Sequence, residues 1–134
     1  MYKKIIVALS LEHGIADKAL KAAVALADEG AEIRAVHIYE PLQDSVRNYV
    51  SKDDLAKARL QIEENLRKRI EDYPNVVPVV LEGHAGRTLA DYAERIDADC
   101  LVVGSHKPGL ADFLLGSTAA RIVRHAPCSV HVLR

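Results

Sequence analysis

Apolar residues in this chain follow two alternating rhythms. Short, nearly continuous apolar runs at Lys4–Leu9, Ile33–Tyr39, Val76–Leu81, Leu101–Val103 and Ser129–Leu133 read as five strands. Between them the spacing becomes helical. From Ile15 to Asp28, the residues Leu20, Ala23, Val24 and Ala27 share one face, and Gly30 stands where a helix C-cap is expected. Ser51, with Asp54 three positions on, predicts the start of a second helix whose stripe is Leu55, Ile62, Leu66, Ile70 and Tyr73. Its remaining face is dense in acids and bases in balance, the pattern of a solvated surface. Leu89, Tyr92, Ala93 and Ile96 mark a third helix and Ser117–His125 a fourth. Pro41 stops the second strand, and the weak signals of Leu42–Val50 read as a loop. Pro78 argues for an edge position for the third strand.

Strands alternating with helices imply right-handed crossovers and an α/β fold, a parallel sheet covered by helices on both faces. Ligands of such sheets bind beyond the carboxyl ends of strands, where the winding direction reverses. With the first and fourth strands as central neighbours, that crevice lies between Leu9-Ser10 and Gly104-Ser105.

The fourth strand leads into Gly104-Ser105-His106-Lys107-Pro108-Gly109, and Gly116-Ser117-Thr118 opens the last helix. Strand, glycine-bearing loop and helix N-terminus in that order suit an anion. Glycine permits close backbone approach, and the first helical N–H groups have no partner within the helix. The competing reading is purely structural: glycine turns followed by a Ser117 or Thr118 N-cap. Lys107 has the same two readings, a point charge toward phosphate or an exposed loop lysine.

Bulk properties narrow the field. A chain of 134 residues fits one domain, taken as residues 1–134. With 49% hydrophobic residues and 28% charged, it reads as an ordinary globular protein. A net charge of -1 gives no electrostatic case for nucleic acid or a membrane surface. Lys3 and Lys4 precede too short an apolar run for a signal peptide, so a cytoplasmic location is expected. Cys100 and Cys128 lack metal spacing, and a disulfide is not expected. No histidine pair has ligand spacing, so no protein-built metal site is expected. His131 alternates with Val130 and Val132 and faces the other side of the last strand. Arg121 and Arg124 read as structural, with Asp97, Asp99 or a partner chain as candidate counter-ions.

Several stretches together resemble the universal stress protein family along essentially the whole chain. They are Lys4-Ile5-Ile6-Val7, Ala19-Leu20, Val36-His37, Glu82-Gly83 and the run Ala98 to His106. The similarity is strongest in Leu114-Leu115-Gly116-Ser117, in Arg124-His125-Ala126-Pro127-Cys128 and in the last strand. The resemblance implies a five-stranded parallel sheet in order 3-2-1-4-5, of the adenine nucleotide alpha hydrolase type. It also implies dimerisation through the last strand, with a tetramer as a further possibility, and in many members ATP binding. Nucleotide-binding members carry G-x2-G-x9-G-[ST]. Here Gly104 and Gly116-Ser117 match the ends, Lys107 occupies the middle glycine position, and only Pro108 to Leu115 separate it from Gly116. Gly109 can supply backbone freedom two residues later, and the chain resembles members with a shortened Ser-His-Arg-Pro loop, some of which bind ATP. Ser10 stands where the family often has an aspartate, so it offers a hydrogen bond but no charge.

The site implied by this resemblance joins two groups. Ala8, Leu9, Ser10, His37 and Ile38 would hold adenine and ribose. Gly104, Ser105, His106, Lys107, Gly109, Gly116, Ser117 and Thr118 would hold the phosphates. ATP is the implied cofactor, with any Mg²⁺ held mainly by the phosphates. No general base stands out near the loop and a Walker lysine-serine pair is absent, so at most slow hydrolysis is expected. The alternative is a homodimeric stress protein that binds no nucleotide and works through protein contacts. The first strand is not followed by the acidic cluster of a receiver domain, the phosphate loop of a flavodoxin or the Ser-Gly-Gly loop of an adenylating synthetase.

Overall fold

A computed structural model describes residues 1–10, 15–105 and 115–134. Five strands, β1 (Tyr2–Ala8), β2 (Ala27–Tyr39), β3 (Val76–Glu82), β4 (Cys100–Gly104) and β5 (Ser129–Leu133), form one sheet in the order β3-β2-β1-β4-β5. All four neighbouring pairs are parallel. The expected strand order holds, and Pro78 does lie on an edge strand. Among the described residues, five helices connect or precede the strands: α1 (Ala16–Leu26), α2 (Asp44–Arg47), α3 (Lys52–Arg69), α4 (Ala85–Arg95) and α5 (Ser117–His125).

Strand alternation divides the core into two layers. Ile5, Val7, Ile33, Ala35, Cys100 and Val102 point to one face, where Ala16, Ala19, Leu20 and Ala23 of α1 and Leu66 of α3 cover them. Ile6, Val36, Leu101 and Val103 point to the other, under Leu89, Tyr92 and Ala93 of α4 and Ala119 and Ile122 of α5. The central strands β1 and β4 are therefore apolar on successive residues, as a sheet covered on both faces requires. Val130 and Val132 pack on the α4–α5 side while His131 is exposed, as its alternation predicts.

The helix ends are chemically marked. The Ser51 hydroxyl accepts from the Asp54 N–H at 3.1 Å, the expected cap of α3. Acidic Asp53 and Asp54 occupy its first turn and basic Arg67, Lys68 and Arg69 its last, matching the helix dipole at both ends. The Tyr73 hydroxyl, just past α3, donates to Asp17 Oδ1 of α1 at 2.6 Å. That bond pushes the tyrosine pKa up to about 12. At the end of α4, Ala98 N–H donates to Ala93 O at 2.9 Å and Asp97 N–H to Glu94 O at 3.2 Å. This nested pair requires a left-handed residue, and Asp97 supplies it at φ 55°. Asp97→Gly should therefore raise stability by up to about 1 kcal/mol, since glycine has no Cβ to strain there. Urea denaturation checks it, and a loss of stability would show that the Asp97 side chain contributes more than its backbone strain.

Three expectations change. First, α1 ends at Leu26, not Asp28, and Gly30 does not cap it. The chain enters β2 at Ala27, which pairs with Tyr2, whereas the next pair is Lys4↔Glu32. The residues between form a bulge in which Gly30 takes φ 76°. Val24, expected on the same face as Leu20 and Ala23, lies outside the buried stripe, 49% exposed. Second, Leu42–Val50 contains the short helix α2, which contributes no buried residue. Third, Gly116 rather than Ser117 or Thr118 is the N-cap of α5.

Candidate functional site at the carboxyl ends of the sheet

Winding reverses between β1 and β4, so the elements leaving their carboxyl ends diverge and open the expected crevice. The β1–β4 register ends at Val7↔Val102, which places Leu9 and Gly104 at the same level two residues further on. Gly104 also pairs with Leu133 of β5. A Cβ on Gly104 would lie 3.3 Å from Ile15 Cδ1, so glycine lets the start of α1 lie across the end of β4.

The β4 side of the crevice is joined through Ser105. Ser105 is 2% exposed and its N–H donates to Leu133 O at 2.7 Å, extending the sheet by one residue. Its carbonyl accepts from the Gly116 N–H. The two ends of the glycine-bearing loop are thus held together at the mouth of β4, although far apart along the chain. Gly116 has extended backbone angles (φ -63°, ψ 159°), and its carbonyl starts the helix by accepting from Ala120 N–H at 2.9 Å. Gly116 has no side chain with which to cap α5. The N–H groups of Ser117, Thr118 and Ala119 therefore head the helix without intrahelical acceptors, at its positive end. Ser117 and Thr118 expose their side chains there.

The other side of the crevice is built from β1 and β2. Leu9 N–H donates to Val36 O at 2.9 Å, just past the last register pair, Ala8↔Val36. The Leu9 carbonyl accepts from Nδ1 of His37 at 2.9 Å. β2 runs on to Tyr39 without a β1 partner. Because backbone groups alternate sides along a strand, Ile38 directs its N–H and C=O toward β1 as Val36 does, into the crevice.

The structure thus brings Ala8, Leu9, Ser10, His37 and Ile38 to one side of the crevice and Gly104, Ser105, Gly116, Ser117 and Thr118 to the other. His106, Lys107 and Gly109 lie outside the described residues. The His37–Leu9 bond and the tie between Ser105 and Gly116 were not foreseen, and no local sequence pattern signals either. Arg121 and Arg124 form no ion pair with Asp97 or Asp99 among the described residues. Asp99 is engaged elsewhere, accepting from the backbone N–H groups of Lys3 and Lys4 at 2.8 and 2.9 Å. Arg121 instead lies against Gly86 of α4, where a Cβ would meet its Cδ at 2.8 Å. Both cysteines are free thiols, and burial pushes Cys100 up to about 11. Among the described residues no helix is long and apolar enough to cross a membrane.

The sheet order and the reversal between β1 and β4 define a doubly wound α/β protein with the adenine nucleotide alpha hydrolase-like fold. The chain belongs to the universal stress protein family, whose model matches residues 1–134. It is similar to universal stress protein G of Salmonella typhimurium, 29% identical with all of both chains covered. A universal stress protein of Thermus aquaticus is 30% identical, again over both full lengths. Among solved structures, UspA from Lactobacillus plantarum superposes with a TM-score of 0.73 at 24% identity, covering 99% of this chain and 98% of that one. A universal stress protein in complex with cAMP gives 0.69 at 22% identity, covering 99% and 97%. One from Arabidopsis thaliana with AMP bound gives 0.61 at 18%, covering 98% and 90%. These structural likenesses establish the fold.

Proposed function

We propose that this universal stress protein is a regulatory module, a single domain over residues 1–134, that binds ATP between β1 and β4. The observation that carries this is the N-terminus of α5. Its N-cap residue, Gly116, brings no side chain over the first-turn amides and is fastened to Ser105 at the end of β4, so three fixed donors converge beside a topological switch point. The triphosphate would take the acceptor positions there, with Lys107 and Gly109 completing the cradle. The backbone of Ile38 offers a donor and an acceptor, matching the N1 acceptor and the N6 amino donor of adenine. A guanine presents the opposite pattern at those two positions, so the same groups disfavour GTP. Two of the solved relatives hold adenosine monophosphates, which supports the base assignment. Ser10 supplies polarity without charge near the phosphates, and any Mg²⁺ would be held by the phosphate oxygens. No step of hydrolysis is assigned to any residue.

A homodimer through β5 fits the same molecule. β5 is an edge strand, its outer side has no strand partner among the described residues, and its Val130 and Val132 are only partly covered.

Calorimetric titration with ATP and Mg²⁺, with GTP as control and after removal of co-purified nucleotide, tests the proposal. Saturable, ATP-selective binding at micromolar Kd is expected, about -8 kcal/mol. Absence of heat from a nucleotide-free sample would overturn it in favour of a dimer acting through protein contacts.

A further inference from the structure

Resting on the nucleotide reading above, we infer that His37 is a positioning residue: by holding the Leu9 carbonyl, it ends the β1–β2 ladder at Val36 and keeps the backbone of Ile38 open to the base. In a parallel ladder, a residue whose N–H donates to position j-1 receives at its own carbonyl the N–H of position j+1. Leu9 makes the first half of this pattern, its N–H donating to Val36 O at 2.9 Å. The second half would be Ile38 N–H donating to Leu9 O. That carbonyl instead accepts from the His37 ring at 2.9 Å, and the register stops at Ala8↔Val36.

The chemistry at this contact is one-directional. A carbonyl oxygen only accepts, so Nδ1 carries the proton. The donor reaches from β2 across to the chain leaving β1 and occupies the Leu9 carbonyl while Leu9's own side chain remains buried. Leu9 precedes Ser10 directly, so the same contact anchors the backbone next to Ser10. An apolar residue at position 37 has no donor, and the Leu9 carbonyl would then satisfy itself on Ile38 N–H, zipping the two strands one step further. That step consumes the donor assigned to adenine N1. Asparagine offers a sharp contrast, because its amide nitrogen is bonded to Cγ as Nδ1 is and can donate to the same carbonyl.

The test compares His37→Leu and His37→Asn in the full chain. Amide hydrogen exchange at Ile38 without ligand reads the ladder directly. Calorimetry with ATP and with inorganic tripolyphosphate separates base from phosphate recognition. Expected are slower Ile38 exchange in His37→Leu by tenfold or more, ATP affinity down at least tenfold, and tripolyphosphate affinity unchanged. His37→Asn should keep the wild-type values of all three. Unchanged Ile38 exchange and ATP affinity in a folded His37→Leu would overturn the inference, as would equal loss of ATP and tripolyphosphate binding. If wild-type protein binds tripolyphosphate but not ATP, the base pocket fails and this inference with it. If it binds neither, the nucleotide reading itself fails, while the Ile38 exchange still reports whether His37 limits the ladder.

Discussion

Gly116→Val is expected to weaken ATP binding by two orders of magnitude or more while leaving the fold intact. At an N-cap the side chain projects over the N–H groups of the first helical turn, which is why serine or aspartate there can accept from them. Valine places two methyl groups over the same amides and offers no acceptor, so phosphate oxygens are kept away from Ser117, Thr118 and Ala119. The backbone of Gly116 is in an ordinary extended conformation, so valine adds no φ strain. Its N–H can still reach Ser105, and the expected change in stability is about 1 kcal/mol from poorer capping. Gly116→Asp gives the complementary experiment. Its carboxylate would occupy the amides as a built-in anion, excluding phosphate while stabilising the helix by a few tenths of a kcal/mol or more. Both variants should fail in an ATP titration, and their thermal midpoints should move in opposite directions. ATP binding at wild-type affinity by either would show that the triphosphate lies elsewhere.

Leu101→Ala should produce the largest loss of stability, about 3 kcal/mol within a range of roughly 2–5. Leu101 is fully buried in β4, paired between Ile6 of β1 and Val130 of β5. It packs in the layer with Leu89 and Ile122, so its removal leaves a cavity bounded by two rigid helices. A fall in Tm of roughly 10 °C follows for a domain of this size. Leu60→Ala is the control, since Leu60 faces outward from α3 at 62% exposure and should change stability by less than about 0.5 kcal/mol. Comparable losses in the two variants would contradict the layered core. Because β4 ends in Gly104 and Ser105, Leu101→Ala should also loosen the site, visible as weaker ATP binding well below the unfolding temperature.

The strands and most of the helices were legible because burial leaves a periodic mark. α5 and β5 run from Ser117 to His125 and from Ser129 to Leu133, as the apolar spacing implies. The end of α1 was not legible. Ala27, Asp28 and Glu29 continue a helical composition, but pairing of Ala27 with Tyr2 overrides local preference. Gly30 did mark a left-handed residue, although in a bulge instead of a helix end. α2 is four residues long and buries nothing, so it leaves no apolar period to find. At α5 the hydroxyls of Ser117 and Thr118 suggested a cap, yet they stand one and two positions too late. The crevice between Leu9-Ser10 and Gly104-Ser105 was reachable from strand order, which came from family resemblance. The contact of His37 with Leu9 joins residues 28 positions apart and has no signature in either segment.

The two edges of the sheet are unequal, and this bears on how far copies of the chain can assemble. On β3, Pro78 removes one backbone donor, and Arg59 lies against the Val80 carbonyl and the Tyr39 hydroxyl at 3.1 and 2.9 Å. Such an edge is a poor template for another strand. The edge at β5 contains no proline. Two copies joined along β5 would present only proline-blocked margins outward, leaving nothing for a third to extend. Growth by strand addition would stop at two, so the molecule would have a built-in guard against fibre formation.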